Sequence, residues 1–268
     1  MNTKIALSGL SILATLALVG GATFAFFSDT ETSTGNTLSA GEIDLKIDNV
    51  SYLNKVLNTG TTWREFDDLP GHLFFNFSDL KPGDFGEDTI SLHVFDNDAW
   101  ACVEFTTTKN DDVNCTDPEK IDDPDCLEPN GNDTDGDLAS QLNFIFWTDD
   151  GDNVLETDEP TIASGSATQV LDSKITLADS GENNVGGNSG DPLEGSTDYF
   201  IGKAWCFGEL TPAPVAPGLR DPTQTPGVTC DGTLVNNAAQ TDQLVADVTF
   251  TAEQFRNNSG FLCNPPSP

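Results

Sequence analysis

Apolar and polar residues alternate in short runs along most of this chain, with the period of a β-strand. In GEIDLKID, Ile43, Leu45 and Ile47 alternate with polar or charged neighbours, and Ile90, Leu92 and Val94 do the same in DTISLHVFD. Successive side chains of a strand point to opposite sides, so this pattern predicts strands with one face buried. The run AWACVEFTT is apolar on both faces near its start, and LNFIFWT at 142–148 is apolar throughout, which predicts a central strand. Further strands are predicted in 168–177, 198–206 and 244–252. Helical periodicity is rare; short helices are predicted only near 50–57 and over 252–255.

Between these runs lie turn-rich segments. Residues 106–137 form a polar, Asp-rich stretch holding two cysteines, 179–197 are rich in Gly, Asn and Ser, and 211–227 contain five Pro and two Gly. Seven or more strands with long polar connections predict an all-β fold, an antiparallel two-sheet sandwich of jelly-roll or immunoglobulin-like type. No repeat with the period of a solenoid is present. The expectation is a single β-sandwich domain over 41–268 with an acidic loop insertion near 106–137.

The N-terminus breaks the pattern. Lys4 is the only charged side chain before Asp29, and residues 5–27 are apolar apart from small residues such as Ser8, Ser11 and Thr15. A positive start, an apolar middle and a small residue at the exit describe a signal peptide over 1–25, cut between Ala25 and Phe26. The alternative is a retained anchor, since the run is long enough to cross an apolar core of about 30 Å. Either reading places the remainder outside the cytoplasm, because positive charge stays on the cytoplasmic side.

Charge narrows the partners. With 44 Asp and Glu against 11 Lys and Arg, the formal net charge is −33. Nucleic acid is excluded as a partner, because its phosphates need clustered cations. High charge keeps an exported protein soluble, and clustered carboxylates suit hard cations such as Ca²⁺. The six cysteines, Cys102, Cys115, Cys126, Cys206, Cys230 and Cys263, all follow the export signal, and an even number in an oxidising compartment predicts three disulfides. Fifteen pairings are open. Short loop closures favour Cys115–Cys126 and Cys206–Cys230, which leaves Cys102–Cys263 to tie the C-terminal end to a core strand.

Two acidic turns are candidate Ca²⁺ sites. Asp133, Asp135 and Asp137 recur at every second residue around Gly136, and Asp149, Asp150 and Asp152 surround Gly151, followed by Glu156, Asp158 and Glu159. Neither completes a twelve-residue EF-hand loop. The bland reading of both is a solvated Asp/Gly turn. Catalytic motifs are lacking: there is no HExxH and no GxSxG, and the two histidines, His72 and His93, lie 21 residues apart, so surface or packing roles are assigned to them. No catalytic residue is assigned. Five N-x-[ST] sequons, at Asn49, Asn76, Asn114, Asn132 and Asn257, are compatible with export.

The segment GATFAFFSDTETSTGNTLSAGEIDLKID at 21–48 resembles the export signal and first strand of the TasA/camelysin (CalY) family, whose signals are of the SipW type. LKPGD at 80–84 and NNAAQTDQLVADVTFTAEQF at 236–255 are similar to the family's later turn and late strand. The acidic stretch 106–137 and the six cysteines depart from the family's better-known members.

The resemblance implies an exported jelly-roll subunit that assembles with copies of itself, and with other matrix or cell-surface components, into extracellular filaments of a biofilm type. Residues 26–40 are then a candidate donor strand, adding to a neighbour's sheet edge, with Phe26, Phe27 and Leu38 as anchors. The alternative for that segment is a lead into the chain's own first strand. Two other functions stay open: a secreted metallopeptidase resembling camelysin, and a calcium-stabilised surface adhesion module.

Overall fold

The computed structural model describes residues 28–33, 37–39, 45–64, 72–95, 97–126, 134–218 and 221–266. The N-terminal apolar run, including Ala25, Phe26 and Phe27, lies outside the described residues, as does Asp133. Among the described residues, no helix is long and apolar enough to cross a membrane.

Two antiparallel sheets face each other. The first has the order β2-β1-β13-β6-β9, from β1 (Ser28–Ser33), β2 (Thr37–Ser39), β6 (Ala99–Asp112), β9 (Lys174–Ala178) and β13 (Asp242–Gln254). The second has the order β4-β3-β5-β10-β7-β8, from β3 (Leu45–Leu53), β4 (Val56–Leu57), β5 (Phe85–Val94), β7 (Leu142–Asp149), β8 (Thr161–Ser166) and β10 (Thr197–Phe207). A separate ribbon pairs β11 (Glu209–Pro212) with β12 (Val228–Asp231). The fold is an all-β antiparallel sandwich.

The alternation read from the sequence explains the core. Leu45 and Ile47 on β3, Ile90, Leu92 and Val94 on β5, Val103 and Phe105 on β6, and Val248 and Phe250 on β13 meet in one buried cluster between the sheets. Burying such side chains contributes about 1.5–3 kcal/mol each. The continuous run of β7 is buried on both sides. Phe144 and Phe146 enter the main core, while Ile145 and Trp147 join Leu155, Ala204 and Val228 in a second cluster. That strand lies one place in from the edge, between β10 and β8.

Several local expectations are corrected. Residues 50–57 are not helical: β3 continues to Leu53, then Asn54 and Lys55 take positive φ (49° and 68°) in a tight turn to β4. Asn tolerates this left-handed conformation better than most residues, and the ladder pairing Tyr52 with Leu57 outweighs local helix preference. Residues 252–254 are strand as well, because β13 pairs along them with 99–101 of β6. The stretch 168–177 is divided. Ser166 and Gln169 form a capping box on the short helix α1 (Ala167–Val170), Asp172 turns with φ 65°, and β9 begins at Lys174.

The acidic insertion starts later than its composition suggested. β6 runs on through Thr106–Thr108 and the polar residues to Asp112, paired with the start of β13. Thr-rich stretches suit strands, and a solvent-facing ladder needs no apolar alternation. Beyond it, short helical turns cover 119–122 and 138–141. The cysteines pair as Cys102–Cys263, Cys115–Cys126 and Cys206–Cys230.

Candidate functional site

The first sheet carries an incomplete edge. β13 pairs with β6 along its whole length, from Asp242 opposite Asp112 to Gln254 opposite Ala99. On its other side β1 covers only part of it, from Ser33 opposite Val248 to Ser28 opposite Glu253. Among the described residues, no strand covers that side of 242–247. β2 folds back on β1 and places Leu38 opposite Glu31. The N-terminal segment therefore takes the edge of its own sheet in this single chain.

An apolar groove opens beside the uncovered half of β13. It has a volume of ≈ 990 Å³ and is lined by Phe75, Phe77, Leu142, Phe207 and Leu244 among others. The sequence builds it simply. Leu244 and Ala246 continue the inward-facing register of Val248 and Phe250, while the segment 73–82 crosses in front with its phenylalanines turned inward. An unpaired backbone edge next to an apolar trough has the features that strand addition uses: main-chain donors and acceptors with pockets for alternate side chains.

The acidic turn after β7 is partly assembled. Carboxylate oxygens of Asp149, Asp150 and Asp152 lie within 4.8 Å of one another. Asp149 is buried, and burial raises its pKa against four hydrogen bonds that favour the charge. Its Oδ2 accepts from Thr89 Oγ1 (2.8 Å) and the amides of Gly151 and Asn153, and its Oδ1 from Trp147 Nε1. Asp152 is pushed up to about 6 by burial and by repulsion from Asp150, Asp149 and Glu156. Glu159 bridges the backbone amides of Asp150 (3.0 Å) and Glu156 (2.8 Å), and burial pushes it up to about 8. Glu156 turns away to accept from the Gly218 amide at 2.7 Å, and Asp158 is exposed.

The earlier acidic turn meets residues that sequence reasoning missed. Asp242 Oδ2 accepts from the amides of Asp137 (2.6 Å) and Leu138 (2.9 Å). Burial, its hydrogen bond to Asp242, and the charges of Asp242, Asp123 and Asp135 push Asp112 up to about 8, and burial above all raises Asp242 to about 6. Asp112 and Asp242 are neighbours only because β6 pairs with β13, so no local spacing could reveal them.

The histidines are committed elsewhere. His93 Nδ1 is 2.7 Å from Asp198 and Nε2 is 3.0 Å from Asp48, an imidazole clamp across β10, β5 and β3. Burial lowers its pKa, but hydrogen bonds to the two carboxylates outweigh this and hold it above the ordinary value. His72 stacks on Trp63 with centroids 5.3 Å apart. Cys115, Glu119 and Cys126 also converge, but both sulfurs belong to a disulfide and offer no thiolate. The Asp149–Asp150–Asp152 group presents only oxygen, which suits a hard cation rather than zinc. Among the described residues neither histidine joins a converging group of possible ligands, so they do not assemble the imidazole and carboxylate set of a zinc peptidase centre.

A family model described as camelysin metallo-endopeptidase matches residues 1–176. No curated protein matches the chain.

Proposed function

The chain belongs to the camelysin family, and from that premise we propose that it is an exported structural subunit that polymerises by β-strand addition into extracellular or cell-surface filaments. The observation that carries this reading is the half-covered edge of β13 beside the apolar groove. Strand pairing there is supported by β1, which lies along 248–253 of this edge, with β2 folded back on β1. In a filament, residues 26–40 of one copy would take the β13 edge of the next, with Phe26, Phe27 and Leu38 as anchors. Exchanging a strand between identical copies keeps every hydrogen bond and adds only the partner. The signal-like run 1–25 supports the exported location.

The family's peptidase description supports a second reading, hydrolysis of peptides. The engaged nitrogens of His93 and the stacking of His72 count against it. The converging Asp149, Asp150 and Asp152 favour Ca²⁺ as a stabilising ion of the subunit. The test is electron microscopy of purified protein beginning at residue 26. Filaments are expected, and their loss on deleting residues 26–40 while the cooperative unfolding transition remains. Filaments that persist in the deletion variant would sink strand donation.

A further inference from the structure

The interior of the six-stranded sheet holds a charged pair. Lys203 on β10 stands directly opposite Asp88 on β5, and both are 0% exposed. Lys203 Nζ lies 2.5 Å from Asp88 Oδ2, and neither atom has any other polar partner. Nζ also sits 3.7 Å from the centroid of the Phe75 ring. The other carboxylate oxygen is held: Ser51 Oγ donates to Asp88 Oδ1 at 3.3 Å and accepts from Thr61 Oγ1 at 2.9 Å. Next to it, Asn49 Nδ2 donates to the Thr61 carbonyl at 2.6 Å.

An ion pair in such a place is poorly compensated, because desolvation opposes the attraction. Burial raises the Asp88 pKa and lowers that of Lys203, so both move toward a neutral acid beside a neutral amine. A neutral amine has a free lone pair. Packed against a carboxyl group without bulk water, it is one half of an amide condensation.

We propose that Lys203 and Asp88 condense into an intramolecular isopeptide bond, Nζ to Cγ, which cross-links β5 to β10. One ammonium proton passes to Asp88 Oδ2. The Nζ lone pair attacks Cγ, while the Ser51 hydroxyl stabilises the negative charge developing on Oδ1. The tetrahedral centre collapses, and Oδ2 leaves as water, carrying its proton and a second one from nitrogen. One C–N bond forms, one C–O bond breaks, and no oxidant or activated co-reactant is needed. Strand pairing supplies the proximity that such a step otherwise lacks. The product removes two charges from the core. Glu87, also buried, points to the opposite face of β5, because successive side chains alternate, so the proton transfer belongs to the pair itself.

The proposal is independent of the assembly reading and is tested by peptide mapping of the full chain. Reduced, denatured protein is digested with a protease that does not cleave at lysine and analysed by tandem mass spectrometry. The expected product is a branched peptide holding Asp88 and Lys203, lighter by one water than the two linear peptides together. Asp88→Ala and Lys203→Met should each release the linear peptides, and Ser51→Ala should lower the cross-linked fraction. Recovery from the unaltered chain of both linear peptides, with a Lys203 amine that acetylates after denaturation, would mean an ordinary ion pair and overturn the proposal. That outcome needs no variant to fold.

Discussion

Trp147 on β7 lies across Gly202, its directly paired neighbour on β10, so closely that a methyl group on the glycine would overlap the indole. The indole is fully buried and donates its N–H to Asp149. The same arrangement recurs where Trp205 faces Gly86 on β5. In each case the glycine supplies the space that a large ring occupies. Gly202→Ala is expected to destabilise the fold by about 1–3 kcal/mol, the usual range for overpacking a filled core. Denaturant unfolding followed by tryptophan fluorescence measures it, and an unchanged midpoint would show that the ring can move aside.

The disulfide Cys102–Cys263 closes a loop of 161 residues and pins the C-terminal segment to β6. Around it, Trp100 Nε1 donates to the Asn258 carbonyl and the Cys263 amide donates to Asp179. On the loop-entropy model, losing this bond costs up to about 5 kcal/mol. Replacing both cysteines with alanine is therefore expected to lower the melting temperature more than removing Cys206–Cys230, whose loop spans 24 residues. Calorimetry on the two double variants decides this, and the reverse order would show that packing, rather than chain entropy, dominates.

Asp152 and Glu159 predict a pH dependence with a definite sign. Both carboxyls have pKa values raised in the fold, to about 6 and about 8. Each therefore binds its proton more tightly folded than unfolded, so its contribution is complete below the ordinary carboxylate range and is lost as pH rises through the folded value. Melting temperature should fall between pH 5 and pH 9 by more in the native chain than in Glu159→Gln. A Ca²⁺ ion on the Asp149–Asp150–Asp152 group would offset the same repulsion. Melting in Ca²⁺ against chelator should then diverge most at high pH, and identical curves at pH 8 would count against the ion.

How much was legible in advance varies element by element. Ile90, Leu92 and Val94 show their strand and its buried face directly, because side-chain alternation is a local property. LNFIFWT shows burial on both sides for the same reason. The turn at Asn54 and Lys55 was hidden, since β4 is only two residues long and has no pattern of its own. The polar end of β6 was hidden too, because a ladder of backbone hydrogen bonds holds it rather than apolar side chains. Asp149, Asp150 and Asp152 could be proposed from their spacing, whereas Asp112 and Asp242 could not.

By itself, the sequence determined what depends on neighbours along the chain: an all-β sandwich pattern, an N-terminal export-like run, an even set of cysteines and an acidic surface. Only the tertiary structure decided which residues meet across strands. It set Lys203 against Asp88, laid Trp147 over Gly202, joined Cys102 to Cys263, and, among the described residues, left half of β13 uncovered beside a groove. The physical reason is that antiparallel pairing brings together residues far apart in sequence. Register then decides whether a lysine faces solvent or a buried carboxylate, and no local period carries that information.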